Sequence, residues 1–117
     1  MAEKAVVFSL ANPIPEITRE EAVAGGAFIY GSARSDWSNQ VNNILAFPGI
    51  FRGLLDARAK GVNEKMKISA ALAIANIAQE DGLERDKIIP SALDMRVHKA
   101  VAQAIMKSAK EEGLARI

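Results

Sequence analysis

Hydrophobic and polar positions divide this chain into a short front section of continuous apolar runs and a longer section with helical spacing. Ala5 to Ala11 reads AVVFSLA, and Asn12, Pro13, Ile14 and Pro15 stop it, because two prolines so close together end any regular element. The pattern predicts a buried strand followed by a loop. Thr18 and Glu21 stand at the spacing of a capping box, which predicts a short helix running to Gly25 and Gly26. Ala27 to Tyr30 is a second short apolar run, ended by Gly31 and Ser32. Strand, helix and strand in that order form a βαβ unit, and continuous apolar strands imply a parallel sheet covered on both faces. Two parallel strands are too few to be stable alone, so either a partner chain supplies more strands or the unit is the end of a larger sheet, and it reads better as the second.

From Ser38 onward the spacing is helical. Asn39 to Ala46 fits a short helix, and Pro48 suits the first turn of the next, from Gly49 to about Lys60. Asn63 fits the N-cap of a third helix, Glu64 to Gln79. Its middle, ISAALAIANIA, is apolar nearly all round and is expected to lie buried between other elements. Ile88, Ile89 and Pro90 form an extended segment. Ser91 with Asp94 starts a last helix, in which Val97, Val101 and Ile105 recur every four residues until Gly113 stops it. The fold class is therefore α/β: a βαβ unit over residues 1–36 and a mostly helical segment over 37–117.

Composition narrows the functions available. Fifteen Lys and Arg face 14 Asp and Glu over 117 residues, interleaved rather than blocked, which gives no footprint for gripping nucleic acid or a membrane surface. No cysteine is present, so disulfides, thiolate metal sites and thiol nucleophiles are excluded. The longest apolar stretch, Ile68 to Ala78, is far short of the roughly 20 residues that span a bilayer. With no signal-peptide pattern at the start, the sequence reads as that of a soluble, cytoplasmic protein.

Two places offer chemistry. Asn12 lies just past the carboxyl end of the first strand, where open α/β sheets bind ligands. Its carboxamide offers a donor and an acceptor together, although Asn12 is also placed to bond its own backbone in an Asx-turn. The stretch from Arg34 to Asn43 follows the second strand and so lies at the same end of the sheet. It brings Asn39, Gln40, Asn42 and Asn43 together beside Arg34 and Asp36. Such groups hold a small polar ligand without doing proton chemistry, or else form a polar turn with a helix cap. Arg34 either clamps a carboxylate or pairs with Asp36. His98, the one histidine, reads as a packing or surface residue rather than a base. No Gly-x-Gly-x-x-Gly phosphate loop, acid–base pair or metal-ligand cluster is legible in the sequence.

These residues carry a resemblance. VVFSLANPIPEI, followed by RSDWSNQVNNILAFPGIFRGLLDARA and later IIPSALDMRVHKAVAQAI, closely resembles the C-terminal part of the nucleotide-binding domain of bacterial and archaeal malic enzymes. It covers essentially the whole chain, with three motifs in the family's order. The resemblance implies a Rossmann-type sheet and part of an oxidoreductase that converts (S)-malate to pyruvate and carbon dioxide with NAD or NADP. It implies that Asn12 lies where substrate and nicotinamide meet, that Asn42 and Asn43 hold the malate carboxylate and hydroxyl, and that Mg or Mn takes its ligands outside this chain.

The family's glycine-rich loop, metal-binding acids and Tyr–Lys acid–base pair lie upstream of the ANP motif and have no counterpart here. Gly31, Ser32 and Ala33 stand where Ala-Thr-Gly is usual, and Trp37 and Ser38 where an aromatic–proline step is usual. The expected partners are therefore malate or pyruvate and the remainder of a malic enzyme chain in a homo-oligomer, with this segment inactive alone. Truncation, proteolytic fragment and short reading frame all stay open as its origin. The rival expectation is a non-catalytic interaction module that self-associates through unpaired strand edges and its apolar helix. A dehydrogenase sharing only the fold is a third reading, disfavoured by the VNN and FPGIFRG motifs.

Overall fold

The computed structural model describes residues 2–117, which form β1 (Ala5–Ser9), α1 (Arg19–Ala24), β2 (Ala27–Ser32), a 3₁₀ turn (Asn43–Leu45), α2 (Phe47–Ala57), α3 (Glu64–Glu80) and α4 (Met95–Glu111). β1 and β2 pair in parallel, with Val7 opposite Tyr30 and Ser9 opposite Ser32. The α1 start has its capping box, with Thr18 accepting from the Glu21 amide and Glu21 bonding back. Beneath α1 the covered face of the sheet packs Ala22, Ala27 and Tyr30 with Val7, Ile17 and Trp37.

The sheet departs from expectation in two ways. β1 ends at Ser9 rather than Ala11, because the Ala11 amide donates to the Glu16 carboxylate instead of continuing a ladder. Only one face is covered. Val6 and Phe8 alternate with the packed residues and, with Leu10 just beyond them, are about half exposed at 54%, 46% and 51%.

The helix expected from Asn39 to Ala46 is replaced by an extended stretch and one 3₁₀ turn. Asn39 adopts a left-handed φ of 55°, and Gln40 bridges in parallel to Ser32, extending the sheet by one residue pair. The helix is lost because the Asn39 carboxamide bonds distant backbone groups, at Tyr30, Arg85 and Ile88, and these tertiary contacts override the local helical spacing. α2 also starts earlier than expected, at Phe47, with Pro48 in its first turn. It ends at Ala57, because Arg58 takes the left-handed capping conformation before Gly61 is reached.

The helical section is built on α2 and α4. Gly49 and Gly53 lie one turn apart on α2 and let it approach α4 closely. A Cβ at Gly53 would lie 2.6 Å from the Ala102 carbonyl, and one at Gly49 would lie 2.7 Å from that of His98. Val97, Val101 and Ile105 fill the seam with no exposure, joined by Met66, Ala70 and Ile77 of α3. Asn63 caps α3 through the Met66 amide, as expected. The expected burial of α3 on all sides is not met: its Met66–Ala70 side packs on α4, whereas Ile68 and Leu72 are open at 57% and 58%. Asp94 caps α4 through the Arg96 amide, and Ser91 forms the turn before it. Gly113, with φ 71°, ends the helix as the sequence predicts. No helix among the described residues is long and apolar enough to cross a membrane.

Candidate functional site

The end of β1 and the loop after β2 face each other across a pocket of about 300 Å³, lined by Leu10, Asn12, Ala33, Val41, Asn42 and Asn43. The three asparagines singled out in the sequence thus meet in one place, at the carboxyl end of the parallel strands. Asn12 is exposed, joined to Pro13 by a cis peptide bond, and its carboxamide makes no hydrogen bond among the described residues. The Asx-turn alternative is therefore not what the side chain does. Asn42 uses its Oδ1 to cap the 3₁₀ turn at the Ile44 amide, 3.0 Å away, which fixes its rotamer and leaves its NH₂ group. The Asn43 carboxamide makes no side-chain bond among the described residues.

The other polar groups of the loop have different duties. Arg34 does not line the pocket. It grips Asp36 through two bonds of 2.9 and 2.7 Å and stacks over Trp37 at 4.7 Å. The Arg34 guanidinium holds the Asp36 carboxyl below the usual carboxylate range, and Asp36 raises that of Arg34 in turn. Gln40 donates to the Ala33 carbonyl at 3.2 Å. Asn39 is 5% exposed and fully engaged: its NH₂ donates to the Tyr30 and Arg85 carbonyls, and its Oδ1 accepts from the Ile88 amide. Of the four clustered carboxamides, two are framework and two face the pocket. Gly31 makes the close approach practicable, since a Cβ there would lie 2.9 Å from the Asn39 carbonyl and from the Phe8 ring.

Sequence reasoning missed Glu16 and the structural role of Asn39. Glu16 accepts from the Ala11 amide at 2.7 Å and from the Ser9 hydroxyl at 3.3 Å, and those bonds, led by Ala11, hold its carboxyl below the usual range. The sequence signal was the spacing of Ser9 and Glu16 on either side of the two prolines, which a reading of the loop as a simple break passes over. His98 lies away from the asparagines, half-buried in an apolar groove between α2 and α4. Its Nε2 is 3.2 Å from the Ala92 carbonyl, the packing role expected of it.

The pocket is neutral. Carboxamides and backbone groups can orient hydroxyl, carboxylate or amide oxygens, but they neither donate nor remove a proton at neutral pH. No group of three or more His, Asp or Glu residues placed to hold a metal ion occurs among the described residues, and carboxamides alone are a poor ligand set for a divalent cation.

Comparison with known proteins gives a consistent result. The family model described as malic enzyme, NAD binding domain, matches residues 1–110. The chain is 55% identical over its whole length to a Bacillus subtilis bifunctional malic/malolactic enzyme, of which it covers 28%. It is 48% identical to an NAD-dependent malic enzyme of Geobacillus stearothermophilus, covering 24% of it. The crystal structure of a Pyrococcus horikoshii malic enzyme superimposes with a TM-score of 0.94 at 51% identity, over 99% of this chain and 26% of that one. The chain thus spans about a quarter of the length of these relatives.

Proposed function

The chain belongs to the malic enzyme NAD-binding domain family, and from that membership we propose that it forms the substrate-orienting wall of an enzyme that oxidatively decarboxylates (S)-malate. In this reaction a hydride leaves C2 of malate for the nicotinamide of NAD or NADP, and the C2 hydroxyl loses its proton. The resulting β-keto acid releases carbon dioxide to give the pyruvate enolate, which is then protonated. The convergence of Asn12, Asn42 and Asn43 on one pocket at the carboxyl end of the sheet carries the proposal.

In it, Asn12 would lie where malate and the nicotinamide meet, its carboxamide offering a donor and an acceptor to them. The Asn42 NH₂ and the Asn43 carboxamide bind a malate carboxylate and the hydroxyl. Nothing in the pocket moves a proton, so the acid, the base and the Mg or Mn belong to the remainder of a malic enzyme chain. That remainder is also the partner that covers the bare sheet face of Val6 and Phe8.

A chimera in which this chain replaces the matching segment of the Bacillus subtilis relative tests the reading. It should convert malate to pyruvate with reduction of NAD or NADP, whereas the isolated chain should not. A folded chimera without turnover would overturn it. The second reading, a self-associating module, is favoured by the exposed stripe of Phe47, Phe51 and Leu55 along α2, with the two phenyl rings stacked at 5.9 Å. Sedimentation of the isolated chain as an oligomer that ignores the relative's upstream part would favour that reading instead.

A further inference from the structure

The loop that carries Asn12 has six residues between β1 and Glu16, two of them proline, and no regular hydrogen bonding of its own. It is nevertheless anchored at both ends by one cluster. Ser9, the last residue of β1 and 1% exposed, accepts from the Ile17 amide at 3.2 Å and donates to Glu16 Oε1 at 3.3 Å. The same Oε1 accepts from the Ala11 amide at 2.7 Å, immediately before Asn12. The Tyr30 hydroxyl, inside the covered face of the sheet, donates to the Ile17 carbonyl at 2.6 Å. The Glu16 carboxylate is therefore the clasp that closes the loop onto the strand it left. It faces the loop amides and the Ser9 hydroxyl, and no salt bridge engages it among the described residues.

The geometry points to Glu16 as a positioning residue. It does not line the pocket, and it fixes the Leu10–Ala11 peptide, one residue before Asn12, so that the Asn12 carboxamide, which has no bond of its own, is held toward Asn42 and Asn43. This rests on the reading of Asn12 as a contact of substrate and nicotinamide. A carboxamide fixed by its backbone rather than by a side-chain partner keeps both its donor and its acceptor for ligand, which an Asx-turn would prevent.

The test is a double-mutant cycle in the chimera described above, with Glu16→Ala, Glu16→Gln, Asn12→Ala and the Glu16→Ala/Asn12→Ala pair. Glu16→Ala should lower kcat/KM on the order of 10-fold, within the range that misplacement of a contact by an ångström produces. Because Glu16 is exposed, the thermal midpoint should scarcely move. Glu16→Gln, whose carbonyl still accepts from Ala11, should recover most of the activity. The double variant should be no worse than Asn12→Ala alone, since a clasp has nothing to position once its carboxamide is gone. Hydrogen exchange of the peptide spanning residues 10–17 should quicken in Glu16→Ala and not in Glu16→Gln, whether or not the chimera turns over.

Additive losses in the double variant, an unaltered exchange rate, or a fully active Glu16→Ala beside an impaired Asn12→Ala would overturn the clasp while leaving the reading of Asn12 intact. A fully active Asn12→Ala would overturn both.

Discussion

The two halves of the molecule bury their apolar residues to different degrees. Between α2 and α4 the seam is closed: Val97, Val101 and Ile105 have no exposure, and two glycines bring the backbones together. At the sheet, only one face is covered, and the other presents Val6 and Phe8 to solvent. Both sections are equally apolar in sequence. The difference is that the inner sides of α2, α3 and α4 find one another within the chain, whereas the outer face of the strands, like the Phe47–Leu55 side of α2 and the Ile68–Leu72 side of α3, has no partner in it. The pocket lies where the open half meets the closed one, so its asparagines are held by a framework built from both: Asn39 spans β2 and the turn before α4, and Arg85 donates to the Phe28 carbonyl while stacking on its ring.

The contrast can be broken most severely in the closed seam. Ile105→Ala should cost about 2–5 kcal/mol in urea unfolding, because the seam is too tightly packed to collapse around the cavity. Gly53→Ala, which drives a methyl against the Ala102 carbonyl, should cost about 1–3 kcal/mol by the opposite route of overpacking. At the junction, Asn39→Ala leaves two carbonyls and an amide without their partner and should cost about 1–3 kcal/mol in the same assay.

The acid response is smaller and comes from the surface. Hydrogen bonds from Arg96 hold the carboxyls of Asp81 and Asp94 below the usual carboxylate range. Groups with depressed pKa values in the folded state contribute stability that is present above their unfolded values, near pH 4. That contribution is lost as pH falls through the folded values. The thermal midpoint should therefore drop as the pH is taken below about 4, and the drop should be shallower in Asp81→Asn.

The open half should respond least. Val6→Thr, on the bare face, should change the stability of the chain by no more than about 0.5 kcal/mol. The same change in the chimera should cost more, because there the proposed partner covers the residue. Equal costs in both settings would remove the distinction between the two halves.

Much of this was legible in the sequence, and the exceptions have physical causes. The capping box at Thr18, the Asn63 cap and the Gly113 stop are local, and each formed at the residue named. Asn12, Asn42 and Asn43 were placed at one end of the sheet from strand direction alone, and they line one pocket. The short helix at Asn39 failed because its carboxamide bonds the turn at Arg85–Ile88, a contact 46 to 49 residues away that no window of sequence contains. The burial of α3 failed because an apolar circumference reports a demand for partners without saying whether this chain supplies them. Glu16 was overlooked for a related reason: its partners lie across the loop, on the strand before the prolines.

The central claim is that these asparagines orient malate without performing its chemistry. It is tested most directly by malate-dependent reduction of NAD or NADP in the chimera, comparing the parent with the Asn12→Ala/Asn42→Ala/Asn43→Ala variant across pH. The account predicts a fall in kcat/KM of at least about 10²-fold, with the pH profile unmoved, because groups that only orient do not set the profile's pKa values. Wild-type kinetics in the triple variant, or a profile whose limbs shift with it, would contradict the account.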